Sequence, residues 1–152
     1  MQACVLIFFL DLIIPAVTIP VGTAIIPYPS NIIKEAIILD MVGDKQLSLP
    51  IERNSLNFHG VLVRQLWDRA KKLNLKAFKG VVGPSIYDDH VPLYQYAGIP
   101  SVDIIDFRYP NSFENYWHTV DDTPKNCSSE SLGQVGMLMI DYIFNRKFYV
   151  VP

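Results

Sequence analysis

The sequence predicts an α/β fold, a three-layer sandwich of helices around a mostly parallel β-sheet. Apolar runs at residues 36–44 and 101–107 are continuous rather than alternating, which is typical of strands buried on both faces. Amphipathic segments follow each run, with apolar residues three or four positions apart. Because strand and helix patterns alternate along the chain, we expect helices on both faces of the sheet.

The first thirty residues form an anomalous apolar segment. Asp11 is their one charged residue, and four prolines interrupt them. The absence of a basic residue before Lys34 argues against a signal peptide, and Asp11 and the prolines weigh against a transmembrane helix, which stays the weaker alternative. We expect a strand at residues 4–14 and an irregular connection up to residue 30, or else non-native coding sequence. Residues 31–152 would then be an N-terminally truncated, partial version of a larger fold.

The predicted elements from residue 36 onward begin with a strand whose tip carries Asp40. Residues 47–51 alternate and predict a short strand or an extended loop, limited by Pro50. Ser55 is the expected N-cap of a long helix, and residues 78–82 predict a further short strand. The apolar face of the long helix comprises Phe58, Leu62, Leu66, Ala70 and Leu73.

The second half of the chain adds a short helix, a strand, a loop and a last helix. Pro92 suits the first turn of the short helix, which we expect to end near Gly98. Residues 101–107 predict a buried strand, and residues 108–127 predict a loop rich in aromatic residues, a favourable place for functional groups. Ser128 or Ser129 would cap the last helix. Its inward face would comprise Leu132, Val135, Met139 and Ile143.

Length and composition bound the class of protein. The 152 residues suit one domain, and the hydrophobic fraction of 50% and mean hydropathy of +0.21 lie at the upper edge for a soluble one. With 13 basic and 15 acidic residues, the formal charge of −2 argues against a nucleic-acid-binding protein. Two distant cysteines form neither a disulfide framework nor a zinc knuckle. The sequence leaves the compartment and the oligomeric state open.

Three stretches hold most of the plausible metal ligands and proton carriers. Asp40 ends an apolar run, Asp88 and Asp89 precede His90, and His118 lies in the aromatic loop before Asp121 and Asp122. Taken singly, each group has an ordinary explanation, such as a helix cap for Asp88 or Asp89. The carboxyl ends of parallel strands, however, meet at one edge of a sheet, where α/β proteins place their sites. We therefore expect these side chains to converge on a zinc site.

These motifs resemble the C-terminal half of the zinc aminopeptidase and glutaminyl cyclase family. The match rests on Leu-Asp-Met-Val-Gly around Asp40, Asp-Asp-His-Val-Pro from Asp88, Gly-Ile-Pro from Gly98, and Trp-His-Thr with two following aspartates from Trp117. It runs from about residue 33 to 144. The resemblance implies a co-catalytic zinc exopeptidase-like fold with zinc as its cofactor and a peptide as its substrate.

The resemblance also implies a role for each matched residue. His118 would be a zinc ligand, and Trp117 would form a wall of the substrate pocket. Asp40 would bind a second zinc ion, as in two-zinc aminopeptidases, or join a catalytic acid network with Asp88, as in single-zinc cyclases. Asp89, Asp121 and Asp122 would support these groups from outside the ligand set.

Two departures from the family pattern limit the expected activity. The family supplies its other zinc ligands and its general-base glutamate from an upstream half. In this sequence Asp11 is the one acidic residue before Lys34. Loss of general-base assistance is commonly worth about 10²–10⁴ in rate.

Three functions follow as hypotheses. The first is a zinc-dependent exopeptidase of the aminopeptidase type, acting at peptide N-termini and incomplete in this chain. The second is a glutaminyl-peptide cyclotransferase that forms N-terminal pyroglutamate. The third is a non-catalytic, truncated remnant.

Overall fold

The computed structural model describes residues 6–9 and 33–145. The described strands are β1 (Leu6–Phe9), β2 (Ala36–Asp40), β3 (Leu49–Ile51), β4 (Phe78–Val82) and β5 (Ser101–Ile105). The described α-helices are α1 (Arg53–Lys72), α2 (His90–Ala97) and α3 (Ser129–Phe144). Apart from β1, the anomalous segment of residues 1–30 lies outside the described residues, and so does its alternative as a membrane span. Within the described ranges, no helix is both long and apolar enough to span a membrane.

The strands form a three-stranded sheet in the order β1-β2-β5 and a two-stranded sheet of β3 and β4. Strands β2 and β5 are parallel, as are β3 and β4, whereas β1 runs antiparallel to β2. The register of β2 and β5 places Ile38 opposite Asp103 and Asp40 opposite Ile105. The carboxyl ends of these two strands therefore lie side by side, which confirms the predicted α/β class with a mostly parallel sheet.

The two faces of β2 pack against different helices. Ile37 and Leu39 belong to a large core cluster with residues of α1 and α3, such as Leu66 and Leu138. Ala36 and Ile38 belong to a second cluster on the other face, which includes Leu93 of α2. Because side chains alternate along a strand, a strand buried on both faces needs such a layer on each side. Helices therefore flank the sheet on both faces, as expected of a three-layer sandwich.

Two predictions about the helices are wrong. Ser55 does not cap α1, because Glu52 takes the N-cap position and its carboxylate accepts hydrogen bonds from the backbone N–H groups of Asn54 and Ser55. A glutamate after a short strand is a weaker cap signal than a serine, and the serine here is buried inside the first turn. Leu132 of α3 is 48% exposed rather than inward, because α3 contributes to the main core cluster only from Val135 onward.

Candidate metal and acid site

Strand order and side-chain parity place two carboxylates on the α2 face of the sheet. Asp40 ends β2 on the same face as Ala36 and Ile38, and Asp103 lies opposite Ile38 on β5. Asp40 is 6% exposed and Asp103 is fully buried. Asp103 interrupts an otherwise apolar strand, and its backbone N–H donates to the Ser55 hydroxyl. The sheet therefore presents two buried acids to the start of α2.

The start of α2 supplies the groups that face these acids. Asp88 and Asp89 precede the helix, and His90 is its first residue, with no exposed surface. Asp89 takes the N-cap position without a side-chain hydrogen bond to the helix, so the expected capping role is not observed. Asp88 and Asp89 are partly buried. One turn of helix thus adds a buried imidazole and two carboxyl groups to the strand-borne acids.

His90 lies between two carboxylates. Its Nε2 is 3.1 Å from Glu52 Oε2, and its Nδ1 is 3.6 Å from Asp103 Oδ2. Glu52 is held by the backbone N–H groups of Asn54, Ser55 and Ile86 and by the Ser55 hydroxyl, at 2.6–2.9 Å. Burial raises the pKa of Glu52, but the nearby His90 imidazole and these backbone donors outweigh burial and lower the pKa to about 2. Glu52 is therefore an ionised, fully committed carboxylate.

Burial destabilises the charged forms of the other carboxyl groups in the cluster and raises their pKa values. Burial, followed by the Asp88 charge, raises the pKa of Asp40 to about 7. Burial raises the pKa of Asp103 well above its usual value, with Asp88 and Asp40 as the next causes. The pKa values of Asp88 and Asp89 are also raised by burial. Clusters of buried acids with such shifts are typical of functional sites, where a proton or a metal ion compensates the charge.

Several polar atoms of this cluster have no hydrogen-bond partner among the described residues. They are Asp40 Oδ1, Asp88 Oδ2, both oxygens of Asp103 and both ring nitrogens of His90, whose Nε2 is close to Glu52 without the alignment of a hydrogen bond. Buried polar groups are nearly always satisfied, and an ion is one of the usual reasons for an exception. Asp88, His90 and Asp103 also offer ligand atoms that lie within 4.8 Å of one another. A carboxylate and imidazole donor set of this kind fits zinc.

His118 and Trp117 occupy the loop between β5 and α3. Both side chains are exposed, and their rings stack with centroids 4.2 Å apart. The His118 backbone has a positive φ of 58°. Trp117 contacts Phe107, just beyond β5, with centroids 5.6 Å apart. The loop therefore runs beside the end of β5, but among the described residues His118 belongs to no group of three potential ligands that close together.

Asp122 and Asp121 differ in their surroundings. Asp122 is partly buried and is one of the charges that raise the pKa of Asp40, so this part of the loop lies near the strand end. Asp121 is exposed, and its backbone N–H and carbonyl bond to Thr119 Oγ1 and Asn126 Nδ2. The structure thus brings together Asp40, Asp88, Asp89 and Asp122, while the zinc-ligand role of His118 stays a prediction.

A small apolar cavity of about 190 Å³ adjoins the buried group. It lies between the segment after β4, at Gly83, Pro84 and Ile86, and the end of β5, at Ile105 and Phe107. Glu52 contributes to its lining. Its volume is below the roughly 300–1,000 Å³ that ligand pockets usually have. Trp117 does not line this cavity, but it contacts Phe107, which does.

Comparison with known proteins decides the family. The profile of peptidase family M28 matches residues 24–143. The chain belongs to this family. No curated protein matches the chain. Zinc is the metal that family membership indicates, and the donor set described above fits it.

Solved structures of similar proteins give the same result. A glutaminyl cyclase from Tannerella forsythia is 34% identical with a TM-score of 0.68, over 73% of this chain and 39% of its own. A Zn-dependent exopeptidase from Parabacteroides distasonis is 35% identical with a TM-score of 0.67, over 72% and 39%. A leucine aminopeptidase precursor from Bacteroides thetaiotaomicron is 33% identical with a TM-score of 0.67, over 73% and 37%. The chain thus spans about two fifths of these solved chains.

Sequence reasoning missed the Glu52, His90 and Asp103 group. The sequence patterns assign no role to His90, although it lies in the acidic motif, and no role to Glu52. The available signals were an aspartate inside an apolar strand and a glutamate directly after a strand, both at positions where a charge is costly. Pairing them with His90 requires contacts 38 and 13 residues apart.

Proposed function

We propose that this chain carries the C-terminal part of a zinc-dependent exopeptidase site that acts at peptide N-termini. The carrying observation is the buried acid group at the carboxyl edge of β2, where Asp40 has a pKa of about 7 and faces the Asp88 charge. Family membership and the exopeptidase and aminopeptidase neighbours support the reaction class. Bound zinc acts as a Lewis acid on the carbonyl group under attack.

The roles within this proposal follow the geometry. Asp40 has an oxygen without a hydrogen bond and a pKa near neutrality, so it can bind a metal or hold a proton for the acid network. Asp88 is the charged group with the largest effect on the pKa of Asp40. His118 acts as a zinc ligand, and the exposed Trp117 indole and Phe107 shape the approach to the apolar cavity. Asp89, Asp121 and Asp122 support the two loops that carry these groups.

The proposed site lacks a general base among the described residues. Glu52 lies at the correct edge of the sheet, but its four hydrogen bonds and its pKa of about 2 prevent it from accepting a proton at neutral pH. Glu35 precedes β2 and therefore lies at the opposite edge. We accordingly expect this chain to turn over peptides about 10²–10⁴ times more slowly than a relative that carries a general base.

Glutaminyl cyclisation is the second candidate function. It is favoured by the glutaminyl cyclase neighbours, and by the combination of Trp117 and His118 with a protonatable Asp40. In this reaction the substrate's own amine attacks its side-chain amide and ammonia leaves. The attacking amine must lose a proton and the departing nitrogen must gain one, so this reaction also relies on an acid–base group. The non-catalytic remnant is the outcome if neither reaction is observed.

A paired assay tests the proposal. The purified chain is loaded with zinc and assayed for amino-acid release from peptide amides and for pyroglutamate formation from glutaminyl peptides. We expect slow turnover that is abolished in His118→Ala. The matched control is His59→Gln, because His59 contacts Glu35 at the other edge of the sheet. Turnover no faster than zinc in buffer, in both assays, would contradict the proposal and support the remnant.

A further inference from the structure

We propose that Asp88, His90 and Asp103 form a zinc-binding site of their own, with Glu52 orienting the His90 ring, and that this site is independent of His118. The three residues offer ligand atoms within 4.8 Å of one another on two different elements, β5 and the start of α2. The inference concerns metal binding by the chain, and it does not rest on the proposed function. The exopeptidase proposal takes its metal ligands from His118 and Asp40, and it shares only Asp88 with this site, as a member of the acid network.

The orientation of His90 is the first support. Metal-bound histidines usually direct one ring nitrogen at the metal and the other at a carboxylate or carbonyl group. Here Nε2 lies 3.1 Å from Glu52 Oε2, while Nδ1 faces Asp103 Oδ2 at 3.6 Å. A nitrogen ligand and an oxygen ligand, each about 2.0–2.2 Å from a tetrahedral zinc ion, would lie about 3.4 Å from each other, which is a similar distance. The ring is therefore held with Nδ1 on the ligand side.

The unsatisfied atoms are the second support. Asp103 is fully buried, and neither of its carboxylate oxygens has a hydrogen-bond partner among the described residues. Asp88 Oδ2 and His90 Nδ1 are in the same condition. Leaving a buried polar group without a partner is costly, and several such groups in one place require a common explanation. A cation between them would give one atom of each residue a partner.

Charge balance is the third support. The charges of Asp40, Glu52 and Asp88 act on the other carboxyl groups of the cluster, and all three raise the pKa of Asp103. Among the described residues, no lysine or arginine forms an ion pair with any of them. Uncompensated buried carboxylates are costly, and metal ions are one of the ways in which proteins keep them. A divalent cation would balance two of these charges.

The kind of metal follows from the donors. An imidazole nitrogen with carboxylate oxygens suits zinc, whereas calcium and magnesium prefer oxygen ligands alone. Asp88 is partly exposed, unlike His90 and Asp103, so it marks the side from which an ion can enter. Asp40 is a further negative charge near this group, because it raises the pKa of Asp103. We therefore name zinc as the ion and Zn²⁺ alone as the probe.

The decisive experiment leaves Asp88, His90 and Asp103 unchanged and removes the other two histidines. The chain contains three histidines, so in the double variant His59→Gln/His118→Ala the remaining one is His90. The 152-residue chain carrying both changes is stripped with EDTA, titrated with Zn²⁺ by calorimetry and examined by zinc-edge X-ray absorption. We expect one zinc per chain with one imidazole ligand and an affinity within about threefold of that of His59→Gln at this site. No bound zinc, or coordination by oxygen alone, would overturn the proposal.

Matched substitutions complete the test. Asp103→Asn is expected to lower the zinc affinity at least 100-fold, and Glu52→Gln to lower it 10–100-fold, as loss of a ligand's supporting carboxylate does. Asp106→Asn is the control, because Asp106 is buried on the same strand end but bonds to the backbone N–H groups of Ser48 and Arg108. Zinc retained by a folded Asp103→Asn but lost in His118→Ala would overturn this inference and leave the exopeptidase proposal standing.

Discussion

Glu52 Oε2 lies 3.1 Å from His90 Nε2 at a place where both side chains are almost completely buried. The contact links the cap of α1 to the first residue of α2, so one carboxylate both starts a helix and orients an imidazole. His90 Nδ1 also faces Asp103 Oδ2, which connects these helices to β5. The start of α2 is therefore placed relative to the sheet by polar contacts that lie between the two helix layers.

Glu52→Gln is expected to destabilise the metal-free chain by about 3 kcal/mol. The amide keeps the shape of the side chain but loses the charge facing His90 and donates where backbone N–H groups also donate. Urea unfolding in EDTA at pH 7 measures the change. Glu130→Gln, in the exposed first turn of α3, is the control and should change stability by less than about 0.5 kcal/mol. Equal effects of the two changes would show that the buried contact is unimportant.

The metal-free chain is expected to lose stability as the pH rises from about 4 to 7. The pKa of Asp40 is 3.8 in the unfolded reference and about 7 when folded, so the folded state keeps a proton that the unfolded state releases. The loss of folding stability is absent below the unfolded pKa of Asp40 and complete above its folded pKa. It amounts to on the order of 4 kcal/mol, at about 1.36 kcal/mol per pKa unit. Asp40→Asn should flatten this decline in urea unfolding with EDTA. An unchanged slope would refute the assignment.

Leu138→Ala is expected to cost about 2–5 kcal/mol. Leu138 is fully buried in the cluster of α1, α3 and the sheet, so its loss leaves a cavity. Leu132→Ala on the same helix is the matched control, since Leu132 is 48% exposed and should cost under about 1 kcal/mol. Thermal unfolding of both variants gives the difference. A Leu132 effect as large as that of Leu138 would mean that α3 packs through its other side.

Gly98→Ala is expected to destabilise the chain by about 1–2 kcal/mol. Gly98 ends α2 in the left-handed conformation, with φ of 65°, and an added Cβ would meet no atom within 4 Å. The cost is therefore conformational rather than steric contact with neighbours. Gly80→Ala in β4, where φ is not positive and space is also open, is the control and should be neutral or slightly stabilising. Chemical denaturation of the pair measures the difference.

The sequence predicted the parts of the fold that depend on local patterns. The apolar runs around Asp40 and Asp103 are strands, and the end of α2 at Gly98 follows from glycine's freedom at positive φ. The α1 cap was mispredicted, because local preference for serine was overridden by a glutamate that also contacts His90. Long-range polar contacts of this kind leave no periodicity in the sequence.

The candidate site was predicted unequally. The convergence of Asp40 with Asp88 and Asp89 followed from strand ends meeting at one edge of a parallel sheet, and their mutual charge effects agree with it. The roles of His118, Trp117 and Asp121 stay predictions, because an exposed aromatic loop has no packing that fixes its side chains on the acids. Asp103 was given no role in the site, because its neighbours read as an ordinary buried strand.

An anomalous difference map at the zinc edge, from crystals of the chain grown with Zn²⁺, tests the central claim that this sheet edge binds metal. The account predicts a peak within about 2.0–2.2 Å of Asp88, His90 Nδ1 and Asp103, with Glu52 still against Nε2. A map whose peaks lie elsewhere, with His90 bonded only to protein groups, would contradict it.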